Sequence, residues 1–131
     1  MTKTKREKST VSIQRIVENA LTKADADTLA VEEPLEIRLG LTEDGKLRHQ
    51  AISITMRTPN DDFELAAGFL FTEGILQSKN QIAAIKHCGR FPAPENTVRV
   101  DLSAETKVNL KKLERSFYTT SSCGVCGKKS L

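Results

Sequence analysis

Pro34-Leu35-Glu36-Ile37-Arg38-Leu39, followed closely by Thr42-Glu43-Asp44-Gly45, is the stretch that sets the architecture of this chain. After the proline, apolar Leu35, Ile37 and Leu39 alternate with charged Glu36 and Arg38. A period of two puts the aliphatic side chains on one face of a strand and the charges on the other. Asp-Gly is a hairpin signal, because both positions tolerate the positive φ that a tight two-residue turn demands. The chain then returns as a second strand, Leu47 to Arg57, with Ile52, Ile54 and Met56 expected on one side.

Downstream, Asp61 and Glu64 stand three residues apart ahead of an apolar run, a capping-box-like start for a helix. Its body, Phe63 to Phe71, is apolar on most faces and is expected to be buried against the preceding sheet. Gly74 is placed to end it. Gln81–Lys86 reads as a strand, His87 to Pro94 as a loop and Thr97–Leu102 as another strand. Residues 105–115 are amphipathic, with Leu110 and Leu113 facing inward on a helix.

Upstream, residues 1–10 are polar and basic and are expected to be disordered. Val11 to Val17 suits a first strand, although the spacing through Leu21 also suits a helix. Ala24 to Thr28 reads as a polar connection, and Leu29 to Leu39 as one strand. The fold class is therefore α/β of the α+β kind. We divide the chain into a basic tail with its first element, residues 1–28, and a domain over residues 29–131.

At 131 residues the chain is at most one ordinary domain. A hydrophobic fraction of 38% with 28% charged residues is globular in character. A net charge of +3, with no basic stripe interleaved with aromatics, argues against a nucleic-acid partner. No run of about 18 apolar residues is present to span a membrane. The charged N-terminus is not followed by the apolar stretch of a secretory signal. Three cysteines, two of them in a C-x-x-C, fit a reducing cytosol and a reactive or metal-binding pair better than a disulfide framework.

That pair lies in Thr119-Thr120-Ser121-Ser122-Cys123-Gly124-Val125-Cys126-Gly127-Lys128. The thiolate is the reactive form of cysteine, and nearby cations and exposure favour it. Gly124 and Gly127 free the backbone to present sulfur to a large partner, while Lys128 and Lys129 favour an anionic sulfur. A persulfide relay fits this pattern: one thiolate would hold an outer sulfur as Cys–S–SH, and the second thiol would resolve it as a disulfide or share the handover.

Other chemistries fit less well. Zinc on Cys123, Cys126, Cys88 and His87 lacks the usual second spaced pair. A thioredoxin-type dithiol lacks its early strand. A nucleobase deaminase needs H-x-E and a proline where Ser122 stands. Cys88 alone reads as a small buried hydrophobe, and His49 and His87 as surface or structural histidines.

Four ordered blocks carry a resemblance: Glu32 to Ile37, Thr55 to Pro59, Asp62 to Gly74 (DFELAAGFLFTEG) and Ser121 to Lys128. With them the chain resembles the formate dehydrogenase accessory sulfurtransferases, the FdhD family, from about Val31 to Leu131. The resemblance implies a cytoplasmic, dimeric sulfur carrier with a small N-terminal sheet-and-helix part ahead of the beginning of a cytidine-deaminase-like domain. It implies that sulfur comes from a cysteine desulfurase and goes to the bis-molybdopterin-guanine-dinucleotide molybdenum cofactor that formate dehydrogenase requires. The persulfide residue then corresponds to Cys123 and its partner thiol to Cys126, with no metal of the carrier's own.

The resemblance implies members about twice as long as this chain. The resemblance places most guanine-nucleotide binding beyond the cysteine loop, so the chain is expected to be incomplete at its C-terminus. Arg57, whose planar fork suits a phosphate or pyrophosphate, is the cofactor-binding candidate within it. Two rival readings are a structural zinc-binding or protein-interaction module, and an inactive remnant.

Overall fold

The computed structural model describes residues 7–108. The main body is a four-stranded mixed sheet, and the first half of its construction follows the opening hairpin. Strands β5 (Glu33–Glu43) and β6 (Lys46–Arg57) pair antiparallel around Asp44 and Gly45, whose φ angles are 50° and 71°. Helix α1 (Asp62–Thr72) crosses over the sheet, β7 (Ile82–His87) follows, and β8 (Thr97–Leu102) inserts between β7 and β5. β8 runs parallel to β5 and antiparallel to β7, giving the order β6-β5-β8-β7.

Register explains why the two faces of this sheet differ. Ile37 sits opposite Val98 and Leu39 opposite Val100, so the apolar sets of β5 and β8 share a face. Together with Leu35, Leu41, Ile52 and Leu102 they form the core, closed by Ala66 and Leu70 of α1 and by Ile75 and Leu76. On the opposite face the same register aligns Glu36 with Thr97, Arg38 with Arg99 and Gly40 with Asp101. One face is thus an aliphatic core and the other a charged layer.

Before this sheet the chain forms a ribbon. β1 (Lys8–Ile13) pairs with β4 (Asp25–Ala30), and a short hairpin of β2 (Ile16–Val17) and β3 (Ala20–Leu21) lies between them. Three expectations are corrected here. Residues 8–10 belong to a strand, residues 25–28 form a strand and not a connection, and Leu29 and Ala30 end β4 instead of beginning β5. The ambiguous Val11–Leu21 stretch resolves as strands.

Further differences concern packing and local structure. A β-bulge between Ile37 and Arg38 of β5 leaves Ile52 as the extra residue of β6. A bulge reverses which face the following side chains take. Ile52 therefore joins the core cluster, while buried Ile54 lies outside it, and the expected common side for Ile52, Ile54 and Met56 does not hold. Helix α1 is less buried than its composition suggests: Asp62, Ala66 and Leu70 are its buried residues, whereas Phe71 is 60% exposed. Gly74 ends it as expected, at φ 71°. Asp61 occupies the N-cap position without a side-chain capping bond. Residues 105–108 are not helical, and the remainder of the expected 105–115 helix, with Leu110 and Leu113, lies outside the described residues.

Gly40 keeps the charged layer closed. A Cβ there would stand 2.1 Å from Oδ1 of Asp101. That carboxylate is held by Arg99, through Nε at 2.7 Å and Nη2 at 3.1 Å, so it is not free to swing away. Gly40→Ala should therefore cost about 1–3 kcal/mol through overpacking. The check is the midpoint of urea unfolding, and an unchanged midpoint would mean that the carboxylate moves aside freely.

Candidate functional site

Polar chemistry gathers in two places, one on each side of the sheet. On the core side, at the end of β6, Arg57 is buried, with 4% of its side chain exposed. Its fork grips Asp62, Nε to Oδ1 at 2.7 Å and Nη2 to Oδ2 at 3.0 Å. Its remaining hydrogens reach the carbonyls of Glu33, Pro34 and Glu95 and the side chain of Asn96, at 3.2–3.5 Å. His87 approaches from β7, its Nε2 2.9 Å from Oδ2 of Asp62, with its ring against Phe63.

Burial pushes the Asp62 carboxyl up, but the hydrogen bonds from Arg57 and His87 outweigh it and hold the group below its ordinary range. The cluster ties β6, α1, β7 and the Pro94–Asn96 turn together. Arg57, read from the sequence as a cofactor-phosphate ligand, turns its fork inward on Asp62. In this geometry it is a scaffold residue and not an open anion ligand.

On the charged face a cleft of about 640 Å³ is lined by Glu36 and Arg38 of β5, His49 of β6, Thr97 of β8 and the β7–β8 loop. Glu36 is almost wholly buried and accepts from Nε of Arg38. Nη1 of Arg38 lies 2.8 Å from Nδ1 of His49. A guanidinium only donates, so His49 accepts at Nδ1 and carries its ring proton on Nε2. The loop supplies Cys88, Gly89, Arg90 and Ala93. It is pinned where the Gly89 N–H donates to the Pro94 carbonyl at 2.9 Å. A Cβ on Gly89 would stand 2.5 Å from that oxygen, which accounts for the glycine.

Cys88 departs from its expected role as a buried hydrophobe: it is partly exposed and lines this polar cleft. Burial raises its thiol pKa, against the pull of Arg99 and Arg38. His87 and Cys88 are neighbours on an extended segment and point to opposite faces, one to Asp62 and the other into the cleft. They cannot converge on one ion, which removes the pairing that zinc with Cys123 and Cys126 would need. Among the described residues no group of three or more His, Cys, Asp and Glu side chains is placed to hold a metal. No helix among them is long and apolar enough to cross a membrane.

The sequence reading missed both clusters as units. The signal for the charged face was the pair of short charged alternations, Glu36-Ile37-Arg38 and Arg99-Val100-Asp101; the joining of Arg57, Asp62 and His87 had none. Cys123, Gly124, Cys126, Gly127 and Lys128, the residues expected to carry the chemistry, lie outside the described residues.

Comparison with known proteins supplies what the described residues alone do not. A protein from Streptomyces coelicolor described as sulfur carrier protein FdhD is 50% identical over 109 residues, which cover 80% of this chain and 36% of that protein. The protein of the same description from Mycolicibacterium paratuberculosis is 47% identical over 112 residues, covering 82% of this chain and 38% of that one. The chain thus spans little more than a third of the length of these relatives.

A crystal structure from Desulfotalea psychrophila, of a protein described as a formate dehydrogenase accessory protein, superposes with a TM-score of 0.58. It is 24% identical and matches over 74% of this chain and 36% of that one, a likeness that concerns the fold. Residues 30–131, from the end of β4 through the whole C-x-x-C stretch, match the FdhD/NarQ family, and with relatives at this identity the chain belongs to that family.

Proposed function

We propose that this chain serves a sulfur carrier by holding sulfur as a persulfide on Cys123. The observation that carries the reading is the family match over residues 30–131, which includes Cys123-Gly124-Val125-Cys126-Gly127-Lys128. The relatives described as sulfur carriers support it. The donor is a cysteine desulfurase. The Cys123 thiolate attacks the terminal sulfur of the donor's persulfide, the donor's S–S bond breaks, and the donor leaves as a thiolate with no net oxidation.

Release uses the second thiol. Cys126 attacks the inner sulfur of the persulfide, hydrosulfide departs, and the resulting Cys123–Cys126 disulfide is reset by a dithiol reductant. Gly124 and Gly127 serve the approach of the partner, and Lys128 favours the anionic sulfur. The acceptor in this reading is the bis-molybdopterin-guanine-dinucleotide cofactor, taken as substrate, on its way to formate dehydrogenase. The carrier is a cytoplasmic homodimer.

The test loads the full chain with a cysteine desulfurase and L-cysteine and reads the intact mass. One added sulfur atom, removable by a thiol reductant, is the expected product, and Cys123→Ala should abolish it. Cys126→Ala should still load but release sulfur more slowly. Sulfur retained by Cys123→Ala would sink the site assignment. Stoichiometric zinc on the purified, reduced chain would replace carriage by metal binding, because zinc would occupy the nucleophile.

A further inference from the structure

We propose that the cleft on the charged face of the sheet is a binding site for a phosphate oxyanion. It does not rest on the sulfur-carrier reading, because no step of it uses Cys123 or Cys126. Two observations carry it: the size of the cavity and the imbalance between donors and acceptors on its walls. At about 640 Å³ it lies within the range of small-molecule sites, about 300–1,000 Å³.

Its walls offer hydrogen. Arg38 forces His49 to accept at Nδ1, which leaves the Nε2–H of a neutral ring as a donor. Thr97 adds a hydroxyl. Cys88 adds a thiol that burial holds protonated. The carboxylate of the lining, Glu36, is buried and already accepts from Arg38, so the charges of those two offset each other. Arg90 differs: its guanidinium lines the cleft and has no hydrogen-bond or ion-pair partner among the described residues. One uncompensated guanidinium beside several neutral donors, with the acceptor already engaged, is a lining complementary to anionic oxygen. A guanidinium matches the paired oxygens of phosphate in a way that an ammonium does not.

The site is tested by titrating the full chain with pyrophosphate at low ionic strength in a calorimeter. We expect saturable one-site binding. Arg90→Gln should weaken it by roughly tenfold or more, the usual cost of losing a hydrogen bond to a charged group. Arg48→Gln is the control, since that arginine is 73% exposed, 3.8 Å from Glu43, and outside the cleft lining. It should change affinity by less than about twofold through screened charge alone.

A second readout on the unsubstituted chain fixes the location: pyrophosphate should slow alkylation of Cys88, followed on its own peptide by mass spectrometry. Equal affinity for pyrophosphate and a nucleoside diphosphate would show recognition of the phosphates alone. Tighter binding of the nucleotide would show that the rest of the ligand is read as well. Absence of saturable heat, equal losses in Arg90→Gln and Arg48→Gln, or unaltered Cys88 alkylation would each overturn the proposal.

Discussion

Asp62→Ala is expected to destabilise the fold by about 3–5 kcal/mol, the cost of removing one partner of a buried ion pair. Arg57 is left in place with 4% of its side chain exposed, with backbone and amide oxygens as its remaining hydrogen-bond partners and the partly exposed Glu33 carboxylate 3.7 Å from Nη1. The neutral acceptors satisfy hydrogens but do not balance a charge, and the Glu33 carboxylate at 3.7 Å replaces the two-point grip of Asp62 only in part. His87 loses its acceptor in the same change. Because domains commonly hold only about 5–15 kcal/mol in total, the variant should be partly unfolded at moderate urea.

A double change, Arg57→Met with Asp62→Leu, should recover much of the loss, since apolar replacement of a whole buried pair is often neutral or better. The comparison separates a buried charge left alone from a merely damaged helix start. A loss below about 1 kcal/mol in Asp62→Ala would put the pair in the class of solvated surface bridges and refute the argument.

The same residue sets a pH dependence, and its sign follows from the direction of its shift. The Asp62 carboxyl is held below its ordinary value of 3.8 in the folded chain. The unfolded chain therefore binds this proton more readily, and the stabilisation is fully present above the unfolded value. It is lost as pH falls through the lower folded value. The stability difference between the natural chain and Asp62→Asn should stay constant near neutrality and shrink in acid, below 3.8. Paired denaturation curves at neutral and acid pH read this directly, and a gap that widened in acid would reverse the assignment.

How much of this was legible in the sequence depended on whether a residue's partner was near in the chain. Thr97–Leu102 and the Asp44-Gly45 turn were readable because alternation and turn chemistry are local. β1 and β4 were not. Lys-Ser-Thr-Val-Ser-Ile and Asp-Ala-Asp-Thr-Leu-Ala show no strong apolar face, and their pairing joins Lys8 to Ala30 across the ribbon. The bulge that turns Ile52 away from Ile54 left no local mark either.

The charged face needs the parallel β5–β8 register to bring Glu36 beside Thr97 and Arg38 beside Arg99, and a parallel pairing is set by the crossover between the strands, not by either strand's own pattern. The motif that best indicated function, Cys123-Gly124-Val125-Cys126, was legible as chemistry from its residues alone. Its geometry lies outside the described residues.

The helix shows how composition and packing part company, and Leu70→Ala turns that into a measurement. Composition favours a helix buried on most sides, yet Phe63 and Leu65 are each 38% exposed and Phe71 is 60% exposed. The attachment of α1 to the sheet therefore falls on Ala66 and Leu70, both with 0% exposure, and on the Asp62 pair at its start. Leu70 also lies where the chain reverses: its carbonyl accepts from Ile75 and Leu76, whose side chains complete the core. Truncating it opens a cavity that strands on one side and the turn on the other cannot collapse to fill. Leu70→Ala should cost about 2–5 kcal/mol, against less than about 0.5 kcal/mol for exposed Phe71→Ala. If urea unfolding gave the two variants equal losses, α1 would be held by its whole apolar surface, and the account of a helix fixed along one narrow stripe would fail.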